Sequence, residues 1–209
     1  MELTINIKNI GYQTEIIIDK VNINIKNTGL YKLEGSNGSG KSTLFKALNG
    51  ELDWIKNQDI NVELNKKKIN VFKNKEIFFI NDSFEGYMFL KPVEYITFLS
   101  QLYNQKIQHN YMLSIFEKLD FSKFSHHLIK DLSQGNKQKL VFITSLLINC
   151  PIILFDEAFE HIDKNSMNYI RNNAKELLNN KIVLLTSHTN TLNDMIKDNL
   201  YLEDKKIYY

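Results

Sequence analysis

The chain has 209 residues, 43% of them hydrophobic and 24% charged, with a formal net charge of only +2. That fits one globular domain with a substantial core and argues against a charge-driven nucleic-acid partner. The single cysteine, Cys150, rules out an internal disulfide and fits a reducing compartment. No apolar run approaches the ~18 residues of a membrane span, and Met1-Glu2-Leu3-Thr4 lacks a basic-then-apolar start, so a cytoplasmic chain is expected.

In chain order, Leu3, Ile5 and Ile7 alternate with polar residues, as do Val21, Ile23 and Ile25, which reads as half-buried strands. Asn27-Thr28-Gly29 turns the chain into a strand over Leu30 to Glu34. This strand runs into the glycine-rich Gly35-Ser36-Asn37-Gly38-Ser39-Gly40-Lys41-Ser42. A helix over Lys41 to Asn49 follows, ended by Gly50. The run Lys66-Lys67-Lys68 reads as a solvated turn. Ile77 to Ile80 reads as a strand, with a polar break at Asn81-Asp82-Ser83.

From Pro92 to about Ile148 apolar residues recur at helical spacing, among them Val93, Ile96, Met112, Ile115, Phe116 and Leu119. The last helix of this block carries Leu132-Ser133-Gln134-Gly135-Asn136 at its head. Strand character returns at Ile152 to Phe155 and at Ile182 to Thr186, separated by a helix from about Asn165 to Leu178. Strands alternating with helices imply a parallel core sheet. Ile207-Tyr208-Tyr209 fits a short last strand.

Two of these segments carry chemistry by residue type and spacing alone. A Gly-x4-Gly-Lys-Ser run between a strand and a helix lets backbone N–H groups close around phosphate oxygens at a positive helix end. Lys41 then reaches the β- and γ-phosphates, and Ser42 ligates Mg²⁺. Gly35, Ser36, Asn37, Gly38, Ser39, Gly40, Lys41, Ser42 and Thr43 are the expected nucleotide contacts. Asp156 follows four apolar residues, so it emerges at the carboxyl end of a buried strand and can hold Mg²⁺ opposite Ser42.

The order of the phosphate loop, the Leu132–Asn136 segment and the acidic strand Ile152-Ile153-Leu154-Phe155-Asp156-Glu157 resembles the nucleotide-binding subunit of an ATP-binding cassette (ABC) transporter. The resemblance runs from Leu3 to at least His188. It implies an α/β P-loop NTPase fold with a parallel core sheet, an N-terminal antiparallel β subdomain and an α-helical subdomain inserted at about 86–149 of a single domain, 1–209. It also implies ATP and Mg²⁺ as ligands, with Glu157 as general base for the attacking water and His188 contacting the γ-phosphate. Tyr12 stands at the spacing of the family's adenine-stacking aromatic residue. Ser133, Gln134 and Gly135 match the signature that contacts ATP held by the other subunit, so a head-to-tail dimer is implied.

The match departs in two places. Asp82 stands where the family has a Mg²⁺-ligating glutamine, and Ala158-Phe159-Glu160-His161-Ile162-Asp163 replaces a Pro-Thr-Ser-Gly-Leu-Asp-like run. The stretch Phe84 to Pro92, with Tyr87, Met88 and Phe89, reads either as the groove for a membrane subunit's coupling helix or as packing of the helical block. The expected function is an ATPase subunit, peripheral on the inner membrane face through a separate membrane-spanning subunit, powering export as compact bacterial exporters of peptides, bacteriocins or drugs do. Two alternatives stand beside it: an ATP-binding scaffold with a degenerate site in a heterodimer, and a soluble ABC ATPase outside transport.

Overall fold

The computed structural model describes residues 1–12, 15–52, 60–73, 75–81, 86–189 and 192–208. Asp82, Ser83, Phe84 and Tyr209, named above, lie outside them. The described strands are β1 (Leu3–Tyr12), β2 (Glu15–Ile25), β3 (Gly29–Glu34), β4 (Ile60–Leu64), β5 (Lys67–Ile69), β6 (Ile77–Ile80), β7 (Ile152–Asp156), β8 (Ile182–Thr186), β9 (Ile196–Glu203) and β10 (Lys206–Tyr208). The helices are α1 (Lys41–Leu48), α2 (Pro92–Leu102), α3 (His109–Lys118), α4 (Gln134–Leu147) and α5 (Lys164–Leu177).

All ten strands join one sheet in the order β5-β4-β1-β2-β10-β9-β3-β8-β7-β6. From β9 to β6 every neighbour is parallel. β5, β4, β1 and β2 pair antiparallel. β10 bridges the two regions, parallel to β2 and antiparallel to β9.

Side chains alternate across each strand, so the sheet has two apolar faces. Tyr31, Leu33, Ile152, Leu154, Ile182 and Leu184 face a core closed by Leu44, Phe45 and Leu48 of α1 and by the β1–β2 hairpin. Phe78, Ile153, Phe155, Val183 and Leu185 face the other way, onto α2 to α5. Parallel strands covered on both faces read as the near-continuous apolar runs seen in β7 and β8, where every residue is buried.

Several elements differ in detail from the sequence expectation. The Lys66 turn is flanked by β4 and β5, with Asn65 and Lys66 at positive φ and Lys67 and Lys68 exposed in β5. The solvated turn is therefore the tip of a hairpin. β9 was not expected. Its first half, Ile196-Lys197-Asp198-Asn199, carries too few apolar residues to signal a strand, yet it is the parallel neighbour of β3. Cys150 is buried next to the end of α4, and burial pushes its thiol up to about 12, which removes it as a nucleophile at neutral pH.

Candidate functional site

The strand order β3-β8-β7 brings three carboxyl ends side by side. Gly35 leaves β3, His188 follows β8, and Asp156 and Glu157 close β7. Crevices outside such carboxyl ends are where open α/β sheets receive ligands.

Gly40 is the N-cap of α1 at φ 109°. A Cβ there would approach Ile17 Cγ2 to 2.6 Å, so both the left-handed backbone and the close hairpin require glycine. Lys41 curls back over the loop, its Nζ donating to the carbonyls of Gly35 at 2.8 Å and Ser36 at 3.0 Å. Ser39 Oγ is buried without a partner among the described residues. A loop holding an ammonium group and an unmatched hydroxyl beside a helix N-terminus has the donor character that phosphate oxygens need.

A cleft of about 410 Å³ opens here, lined by Asn37, Gly38, Lys41, Ser42, Glu157 and His188 among others. Ile17 from β2 also lines it. Tyr12, at the end of β1, is 48% exposed and is not among that cleft's lining residues.

Asp156 is buried, and its Oδ1 accepts from Thr186 Oγ1 at 2.7 Å across the β7–β8 pair. Asp156 and the exposed Ser42 offer oxygen donors, the type that Mg²⁺ takes, although Asp156 is not among the residues that line the cleft. Asp82, the third expected metal residue, lies outside the described residues.

Glu157 sits at φ +55°, uncommon for a residue with a side chain. Its N–H donates to Thr186 O at 3.2 Å and Oγ1 at 3.1 Å, which fixes the turn. Glu157 Oε1 lies 2.9 Å from His188 Nε2, so the two residues expected to act on water and γ-phosphate touch. Glu160, missed in the sequence reading, puts its carboxylate within 4.8 Å of the Glu157 and His188 donor atoms. Its one signal was its place among the departures from the family's run.

The Ser133 hydroxyl N-caps α4, accepting from Asn136 N at 3.3 Å. Ser133 and Gln134 are exposed, which leaves them open to a second molecule. Gly135 has a further reason to be glycine, because a Cβ there would run into the His161 carbonyl oxygen. Gln138 Oε1 accepts from His161 N at 3.1 Å. Lys139, read from sequence as part of a basic continuation, is 2% exposed: it pairs with Asp163 and donates to Leu119 O at 3.0 Å. Asp163 in turn N-caps α5 through Ser166 N at 3.0 Å. The head of α4 and the segment after β7 are thus tied together within one chain.

Known proteins resemble this chain in sequence and in fold. The family model described as "ABC transporter" matches residues 18–160. The phosphonates import ATP-binding protein PhnC of Fusobacterium nucleatum is 27% identical over 100% of this chain and 92% of its own length. The cytochrome c biogenesis ATP-binding export protein CcmA of Reclinomonas americana is 29% identical over 90% of this chain and 84% of its own. A solved ATP-binding subunit of an ABC transporter superposes with a TM-score of 0.82 at 17% identity, over 99% of this chain and 88% of that one, a likeness of fold.

Proposed function

The chain belongs to the ABC transporter family as an ATP-binding subunit, and from that premise we propose that it hydrolyses Mg-ATP to drive a separate membrane-spanning subunit. The observation that carries the reading is the 2.9 Å contact between Glu157 and His188 on the rim of the phosphate-loop cleft. There Glu157 takes a proton from water as its oxygen bonds to the γ-phosphorus. The bond to the bridging oxygen breaks, and its electron pair leaves with ADP. Lys41 and the loop N–H groups hold the phosphates, and His188 orients Glu157 and the γ-phosphate. Mg²⁺, held by Ser42 and Asp156, would neutralise phosphate charge. Tyr12 is proposed to stack on adenine and Asp82 to add a metal ligand.

The exposed Ser133 and Gln134, with Gly135, would meet the γ-phosphate bound to a second subunit in a head-to-tail dimer. The partner is an identical chain or a different ATPase subunit. The helical block at about 86–149 acts as the inserted subdomain that contacts the membrane subunit, which keeps the chain peripheral on the inner membrane face. The direction we propose is export, the one that the resemblance of its motifs to bacterial exporter subunits implies. The two named relatives include one importer and one exporter and so favour neither direction.

Glu157→Gln should retain Mg-ATP and, with hydrolysis blocked, accumulate as the ATP-bound dimer. Light scattering with and without ATP reads this directly. A variant that binds ATP yet stays monomeric with every partner ATPase tested would remove the sandwich dimer from the proposal.

A further inference from the structure

Behind the catalytic pair lies a second, smaller cleft of about 240 Å³, lined by Lys32, Glu34, Gly35, Lys41, Glu157 and His188 among others. It shares Lys41, Glu157 and His188 with the phosphate-loop cleft, so the two adjoin where the γ-phosphate would sit. Lys32 stands on β3, a strand with parallel neighbours on both sides, and is only 9% exposed. A buried ammonium is costly unless it is paired. Its ion-pair partner is Glu34, two residues on, at 3.2 Å with a side chain 38% exposed. Its partners in the sheet are Leu185 of β8 and Asn199 of β9, neither of which supplies a countercharge.

We infer that this cleft is a holding site for inorganic phosphate, occupied as the cleaved γ-phosphate leaves the nucleotide. The inference rests on the ATPase reading above. The cleft is several times the ~30 Å³ share of one water, room for a phosphate and part of its hydration shell. Two ammonium groups, Lys41 and Lys32, line the cleft beside the Glu34 and Glu157 carboxylates and offer charge-assisted hydrogen bonds to a compact anion. Lys32 leaves Glu34 to take the phosphate, and the Glu34 carboxylate recovers Lys32 and repels the anion once it has moved out. Holding phosphate away from ADP hinders the reverse reaction and commits the subunit to the step that follows cleavage.

The test compares wild type with Lys32→Met, Lys32→Arg and Glu34→Gln, two of which keep the lysine-site charge. One arm measures the affinity of ADP-loaded protein for added inorganic phosphate. The other follows a single turnover by acid quench and by a fluorescent phosphate sensor, so that cleavage and release are timed separately. Lys32→Met should weaken phosphate binding about tenfold, the worth of a charge-assisted hydrogen bond, and widen the gap between cleavage and release. Lys32→Arg should preserve both, and Glu34→Gln should tighten phosphate binding. Unchanged affinity in Lys32→Met and Glu34→Gln overturns the site. Weakened affinity with an unchanged release gap overturns the route from the nucleotide and leaves a site filled from solution. Failure of the wild type to bind Mg-ATP at all overturns the ATPase reading itself, and this inference with it.

Discussion

Gly135 answers to two neighbours at once. Toward a second subunit it gives a bare backbone for close approach to a phosphate; within the chain it makes room for the His161 carbonyl oxygen. Gly135→Ala should therefore destabilise the isolated chain by about 1–3 kcal/mol, the usual cost of overpacking a close contact. Denaturant unfolding measures this without nucleotide or partner, and an unchanged midpoint would leave the glycine with its intermolecular role alone. The sequence could assign Gly135 only the first duty, because the His161 contact joins residues distant along the chain. The same limit hid Lys139, whose burial depends on Asp163 and Leu119, and Lys32, whose cleft exists only once β3, β7 and β8 are aligned. The phosphate loop, Asp156 and Glu157 were legible because their chemistry depends on local spacing at a strand end.

At the scale of elements, the pairing of α4 with α5 rests on Lys139 and Asp163. Burial raises the Asp163 pKa, but the Lys139 and Ser166 hydrogen bonds outweigh it and hold the carboxyl down to about 2, against an ordinary 3.8. A carboxylate whose folded pKa is depressed adds stability that is fully present above its unfolded pKa and lost as pH falls through the folded one. Asp163→Asn should thus lower the melting temperature at neutral pH, with the gap to wild type closing between about pH 4 and pH 2. A gap independent of pH over that range would mean that the ion pair is not what joins the helices. Helices α1 and α5 were readable from the sequence to within a residue or two of their ends. β9 was not, since a strand paired on both sides by β3 and β10 needs little apolar content of its own to form.

Across the whole molecule, residues 87–90 join the exposed surface to the stretch just before the signature. Tyr87 and Phe89 are 53% and 78% exposed, whereas Met88 and Leu90 pack against the core. Met88 and Leu90 follow the packing reading, and the coupling role stays a proposal for the exposed Tyr87 and Phe89. Ile129 N donates to Leu90 O and Lys130 N to Met88 O, both at 2.9 Å, only a few residues before Ser133. Under the proposed coupling, these two backbone hydrogen bonds are the route from Tyr87 and Phe89 toward the head of α4. Polar substitutions such as Tyr87→Ser with Phe89→Ser should weaken binding to the membrane subunit while leaving the melting temperature nearly unchanged. Pull-down with the membrane subunit, alongside a thermal melt, tests this; loss of the fold instead would return both rings to core packing.

The account stands most directly on phosphate release from Mg-ATP by the purified chain, with Glu157→Gln measured in parallel. Wild type should turn over, and Glu157→Gln should fall by about 10²–10⁴-fold, the usual contribution of a positioned general base, while still binding ATP. Equal turnover in both would contradict the role given to Glu157. Binding of ATP without turnover in either, alone and with its partners, would make the chain a nucleotide-holding scaffold.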